Sequence, residues 1–253
     1  MVDERNTIDH IFSLAELCNY HDRNKTPLHL AYIDFSKAFD GVPRNALLLT
    51  LQKLGINHRL YQAIKAMYRK TTAKCLANGA ESRDFEIFRG VAQGCPLSPT
   101  LFACYINPLI NQIDDLQNGV NIGDGRNPIG IMAYADDIVM LANTNDELQR
   151  SIQTAHDWCE TWGMKANIAK CGVQSFGAPK DENVSIMWGS AHFPVVDFYK
   201  YLGLTFEKNM NMQVMERRCI VHKLTLTETD TVMCTNAPGS CAHTSLFINT
   251  KIV

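Results

Sequence analysis

The sequence predicts an α/β (α+β) fold, an antiparallel sheet backed by helices. Two observations carry this reading. Short apolar runs that fit buried strands, "LHLAYI" and "IMAY…IVMLA", alternate with longer segments of helical period; the first stops at Asp34 and the second carries Asp136 and Asp137 at the turn in its middle. A third observation, 253 residues of which 46% are hydrophobic, supplies core enough for one large domain.

The elements follow in order. "TIDHIFSLAELCNYHD" sets Ile8, Ile11, Phe12, Ala15 and Cys18 on a helical period, with Thr7 where an N-cap belongs. "KTPLHLAYIDF" is a strand with Leu28, Leu30 and Tyr32 on one face and Ala31 and Ile33 on the other, ending at Asp34. "VPRNALLLTLQKLG" has Pro43 in a first turn, leucines at 47, 48, 51 and 54, and Gly55 as a stop. "NHRLYQAIKAMYRK" repeats the helix signal, and "TAKCLANGAESRDFEIF" alternates about a turn at Asn78 and Gly79.

A loop with Gly90, Gln93 and Gly94 then leads into a helix with Ser98 as N-cap and Pro99 as first residue. Pro108 is expected to kink that helix or end it near Cys104. After the Asp136-Asp137 hairpin, Thr144 and Glu147 form a capping box. The helix it starts packs Leu148, Ile152, Ala155, Cys159 and Trp162 inward and ends at Gly163. "MKANIAKCGVQSFG" and "FYKYLGLTF" are short strands around a loop that holds Lys170.

Composition narrows the function classes. Lys and Arg total 24 against 26 Asp and Glu, a net charge of −2, so no basic excess advertises a nucleic-acid partner. Nine cysteines, an odd and scattered set without a C-x-x-C pair, suit a reducing compartment. The start "MVDERN" lacks the order of a signal peptide, and no apolar run approaches the ~18 residues of a membrane span. Neither secretion nor a membrane anchor is expected.

Adjacent carboxylates in an apolar hairpin need a reason. At about 4 Å and an effective dielectric near 20 they repel by roughly 4 kcal/mol, so a partly buried pair calls for a cation, whereas a solvated surface turn does not.

Five blocks in one order answer the question. "YIDFSKAFD", "GVAQGCPLSPTLF", "YADD", "WGMKANIAKC" and "YKYLGLTF", preceded by "RNTIDHIFSL", resemble the reverse transcriptases of non-LTR, LINE-type retrotransposons over roughly residues 5 to 207. The resemblance implies a polymerase palm and an RNA-directed DNA polymerase. It would extend a DNA primer on an RNA template from deoxynucleoside triphosphates, in the nucleus or cytoplasm.

It also implies that Asp34 meets Asp136 and Asp137 at one sheet edge. Asp34 and Asp136 would bridge two Mg²⁺ ions, or Mn²⁺ in their place, with the Phe35 carbonyl on one ion and Asp137 supporting the pair. Two such ions about 3.5–4 Å apart serve both halves of an in-line phosphoryl displacement.

By the same resemblance Phe39, five residues after Asp34, is the aromatic under the sugar that disfavours a ribose 2′-hydroxyl. Gln93 and Gly94 flank the nascent base pair. Lys170 protonates the leaving pyrophosphate or pairs with its charge. Plainer readings stand beside these: Phe39 as core, residues 93 and 94 as a turn, Lys170 as a solvated surface cation.

The departures carry expectations too. Little precedes "RNTIDHIF", so partial fingers are expected, and no complete thumb follows residue 207. Residues 208–253 are expected to be a non-matching, poorly ordered tail, in which Cys219, His222, Cys234, Cys241 and His243 fit no zinc spacing. An inactive relic that keeps the palm as a binding module is the alternative reading.

Overall fold

The structure, a computed structural model, describes residues 7–77, 80–121, 128–177 and 184–207. In chain order the elements are α1 (Thr7–Asn24), β1 (Leu28–Ile33), α2 (Ala38–Gly41), α3 (Arg44–Lys53) and α4 (His58–Met67). Four two-residue strands follow, β2 (Thr72–Ala73), β3 (Leu76–Ala77), β4 (Ala80–Glu81) and β5 (Phe85–Glu86), then α5 (Ser98–Asp115). The hairpin β6 (Ile131–Tyr134) and β7 (Asp137–Ala142) leads to α6 (Asn145–Trp162), a 3₁₀ turn (Ile168–Lys170) and β8 (Gly172–Phe176). Two small hairpins close the described chain: β9 (Met187–Trp188) with β10 (Ala191–His192), and β11 (Phe198–Tyr201) with β12 (Leu204–Glu207).

The central sheet runs β6-β7-β1-β8, with every neighbour antiparallel. All six residues of β1 are buried because both faces of the sheet are covered. Leu28, Leu30 and Tyr32 pack with Val139 and Leu141 against α1, through Ile11, Leu14 and Cys18. Ala31 and Ile33 belong to the larger cluster on the other face, with Leu47 and Leu51 of α3, Phe102, Tyr105 and Ile106 of α5, and Leu148, Ile152 and Trp158 of α6. This is the face alternation expected of β1, and it places the helices near residues 43–54, 99–113 and 145–162 on one side.

The capping box closes as expected. Thr144 Oγ1 accepts from the Glu147 N–H at 3.2 Å, while Glu147 Oε2 accepts from the Asn143 N–H at 3.0 Å. Gly163 ends α6 at φ 74.

Three expectations are corrected. Helix α5 starts one residue early, with Leu97 at the cap, because the Ser98 hydroxyl donates to the Ala92 carbonyl and not to its own helix end. It also runs through Pro108 to Asp115 and does not end near Cys104. A helix-interior proline costs ~3 kcal/mol, but Tyr105, Ile106, Leu109, Ile110 and Ile113 are all buried around it, and each contributes roughly 1.5–3 kcal/mol. Leu54 caps α3 and is 46% exposed, outside the leucine stripe. Trp162 packs against the core as expected, half-buried and stacked on the fully buried Trp158 one turn earlier.

The β2·β5 and β3·β4 ladders make the expected hairpin, although its turn at Asn78 and Gly79 lies outside the described residues. The same holds for Arg5, the expected tail and its cysteines and histidines.

Candidate active site

Register places the acids. Strand β6 pairs Tyr134 with Asp137, which leaves Ala135 and Asp136 as a two-residue turn. Ala135 sits at φ 53, a left-handed conformation that costs a side-chain-bearing residue about 1–2 kcal/mol. Asp137 is thus the first residue of β7 while Asp136 stands on the turn. Strands β1 and β7 pair Ile33 with Ile138, so the next position sets Asp34 opposite Asp137. Three carboxylates share the end of the two central strands.

Their electrostatics agree. Loss of hydration raises the Asp136 pKa above the usual carboxylate value, and the charge of Asp34 adds to it. Partial desolvation pushes Asp137 up to about 6, with repulsion from Asp136 and then Asp34 on top. Because Asp137 as a residue is exposed, the crowding of like charge is the feature that matters chemically. Among the described residues no three acidic, imidazole or thiol groups stand close enough together to hold a metal ion.

The segment after β1 is clamped on its other side. The Asp34 carbonyl accepts from the Asn167 N–H and the Ser36 N–H donates to the Lys165 carbonyl, each at 2.8 Å, with Phe35 bridged to Ala166 between them. Main-chain groups alternate sides along such a ladder. The Phe35 carbonyl is therefore directed away from residues 165–167, to the β7 side, while its ring is buried in the core. The Asp34 N–H donates to the Cys171 Sγ at 3.4 Å.

Phe39 lies in α2, half-buried and stacked on Phe102 with ring centroids 4.8 Å apart. Its carbonyl accepts from the Val91 N–H at 3.0 Å, and the Gly90 N–H donates to the Val42 carbonyl at 2.8 Å. Gln93 Nε2 donates to Asp40 Oδ1 at 2.8 Å. Gly94 takes φ 78 with open space where a Cβ would stand.

Phe39 and the Gln93–Gly94 loop are thus brought together, through Asp40. Lys170 is exposed at the end of the 3₁₀ turn, two residues before Gly172, the partner of Tyr32. It stands at the Asp34 end of the sheet, but its ammonium makes no ion pair with the acids among the described residues.

The family profile described as "Reverse transcriptase (RNA-dependent DNA polymerase)" matches residues 2–206. The chain belongs to the reverse transcriptase family.

This reverse transcriptase chain is 28% identical over 207 residues to a Pol polyprotein of the R2 element of Popillia japonica, covering 79% of this chain and 33% of that protein. It is 31% identical to the R2DM Pol polyprotein of Drosophila melanogaster, over 70% of this chain and 17% of the relative. It is 27% identical to the RNA-directed DNA polymerase of the mobile element jockey from Drosophila funebris, over 72% and 20%. These relatives belong to non-LTR retrotransposons, and the chain spans a third or less of their length. The apo telomerase of Candida tropicalis shares the fold, with a TM-score of 0.53 at 11% identity over 79% of this chain and 34% of that one. No helix among the described residues is long and apolar enough to cross a membrane.

Sequence reasoning missed four residues that hold this candidate site together. Asp40 holds Gln93, and the Cys171 thiol faces the Asp34 backbone. Arg89 donates to the carbonyls of Gly41 and Gly163, tying the Gln93 loop to α2 and the end of α6. The Tyr199 hydroxyl donates to the Lys170 carbonyl at 3.0 Å, and its ring stacks on Tyr32 at 4.1 Å. All four lie inside or beside the quoted blocks, but nothing in residue type or spacing marks which long-range partner each one takes.

Proposed function

We propose that this domain catalyses RNA-directed DNA synthesis, adding deoxynucleotides to a primer 3′-hydroxyl on an RNA template, within the nucleus or cytoplasm. The observation that carries the reading is the register that sets Asp34 opposite Asp137 with Asp136 on the adjoining turn. Oxygen donors alone suit a hard divalent cation, and carboxylates that repel one another gain most from one. Asp34, Asp136 and the Phe35 carbonyl would hold two Mg²⁺ ions, or Mn²⁺ in their place, with Asp137 adding negative charge beside them. When bound, such ions lower the pKa of the attacking hydroxyl and neutralise the triphosphate.

The chain's own residues do the rest. Phe39, fixed by Phe102 and by its backbone bond to Val91, closes the space below the sugar and selects deoxyribose. Gln93, held by Asp40, and the side-chain-free Gly94 line the nascent pair. Lys170 offers a proton or a charge to the departing pyrophosphate.

Primer extension by the 253-residue chain on an RNA template, beside Asp136→Ala, tests the activity. Paramagnetic relaxation of water by Mn²⁺, beside Asp34→Asn, tests the ion site separately. Extension and tight Mn²⁺ binding that both variants abolish are the expected outcome. Extension that survives Asp136→Ala would overturn the assignment, and a folded chain that binds Mn²⁺ yet extends nothing would return it to an inactive relic.

A further inference from the structure

Arg89 starts the loop that ends in Gln93 and Gly94, and its guanidinium is bonded to main chain on two sides. A single nitrogen, Nη2, donates to the Gly41 carbonyl at 2.8 Å and to the Gly163 carbonyl at 2.5 Å. Gly41 is the last residue of α2, and Gly163 is the C-cap of α6. Carbonyls at a helix end lack partners within the helix and carry the negative end of its dipole, so one cation closes two helix ends.

The two carbonyls belong to different halves of the site. In the first half the loop runs along α2: Arg89 is bridged to Pro43, the Gly90 N–H donates to the Val42 carbonyl, the Val91 N–H to the Phe39 carbonyl, and Gln93 to Asp40. Phe39 and Gln93 are therefore held to each other without the Arg89 side chain. In the second half the Tyr105 hydroxyl donates to the Trp162 carbonyl at 2.8 Å, and the Gly163 and Met164 N–H groups both donate to the Cys159 carbonyl. The chain then leads straight into Lys165 and Asn167, whose main chain clamps Ser36 and Asp34. The Arg89 guanidinium spans the two halves. Packing is close where they meet, since a Cβ on Gly163 would stand 3.1 Å from Pro43 Cγ and 3.7 Å from Arg89 Nη2.

We propose that Arg89 is a positioning residue that fixes the nucleotide pocket of Phe39 and Gln93 relative to the metal-binding acids. What pocket and acids do rests on the polymerase reading above; the link between them does not. A misplacement of about 1 Å between reacting groups can cost roughly 100-fold in rate. Loss of the link should therefore slow the chemical step while each half keeps its own ligand.

Steady-state primer extension by the full chain compares the parent with Arg89→Ala, Arg89→Lys and Thr144→Ala. Arg89→Ala should lower kcat by roughly 10–100-fold with little change in the KM for dATP. Arg89→Lys, which keeps the charge on an arm one bond shorter, should recover part of the loss and carries the test if the alanine variant does not fold. Thr144→Ala removes the cap at the far end of α6, which weakens the same helix without touching the link, and should keep the parental kcat. A second readout needs no catalysis. Relaxation of the H1′ proton of protein-bound dATP by Mn²⁺ falls with the sixth power of their separation, and Arg89→Ala should change it while calorimetry finds parental affinities for dATP and Mn²⁺. A folded Arg89→Ala with parental kcat or parental relaxation would overturn the proposal, as would a loss of kcat that Thr144→Ala reproduces, or a parent whose bound dATP Mn²⁺ leaves unrelaxed. A parent that extends nothing, yet shows a relaxation that Arg89→Ala alters, would leave the link standing and remove only the polymerase reading.

Discussion

Gly90→Ala tests how closely the Gln93 loop is fitted to α2. Gly90 takes φ 85, and a Cβ there would stand 2.9 Å from both the Cα and the carbonyl oxygen of Asp40. A left-handed backbone costs an alanine about 1–2 kcal/mol by itself. The close atoms are main chain, so relief requires the loop to withdraw, which stretches the Gly90 N–H bond to Val42 and the Arg44 bond to Gly90. Losing one such hydrogen bond adds ~1 kcal/mol.

The expected total is about 3 kcal/mol, or a melting temperature lower by roughly 6–12 °C in a domain of this size. Gly94→Ala is the internal control. Its φ of 78 carries the same backbone cost, but nothing lies within 4 Å of the added Cβ. Thermal unfolding of both variants should place Gly90→Ala below Gly94→Ala by about 1–2 kcal/mol. Equal melting temperatures would refute the argument, since only the Asp40 contact separates the two sites.

Phe39→Ala should cost about 2 kcal/mol of stability from a half-buried, stacked ring. In primer extension it should relax discrimination against ribonucleotides far more than it lowers deoxynucleotide use, and equal losses on both would make Phe39 a core residue only. Tyr199→Phe keeps the stack on Tyr32 and the cover over Gly172 but loses the bond to the Lys170 carbonyl. It should therefore lower stability by no more than ~1 kcal/mol, and Tyr199→Ala by clearly more; denaturant titrations that rank them equally would count against the stack.

Burial holds the His21 pKa below the ordinary histidine value, and its Nε2 is buried without a partner among the described residues. The folded state thus favours the neutral ring. Its contribution is present above the unfolded pKa of about 6.5 and is lost as pH falls through the lower folded value. His21→Gln should flatten the acid side of a stability-versus-pH curve, and an unchanged slope would refute the assignment.

Much of the fold was legible because its causes are local. Leu28, Leu30 and Tyr32 part from Ala31 and Ile33 by a two-residue period, and Thr144, Glu147 and Gly163 bracket α6 through bonds within a turn. The acids were legible as a motif. The expected stop near Cys104 failed because the penalty of Pro108 is local while the burial that outweighs it comes from α3, α6 and the sheet.

The sequence by itself determined which segments are strands and helices, most of their starts and stops, and that Asp34 ends one apolar run while Asp136 and Asp137 interrupt another. Those outcomes depend on side-chain periodicity, caps and backbone preferences that act over a few residues. Only the tertiary structure decided that Asp34 faces Asp137, that Asp40 holds Gln93, and that Tyr199 joins Lys170 to Tyr32. Each depends on sheet register and helix docking between residues dozens to more than a hundred positions apart. Such contacts come from closing long loops against a shared core, and no local preference encodes which partner is met.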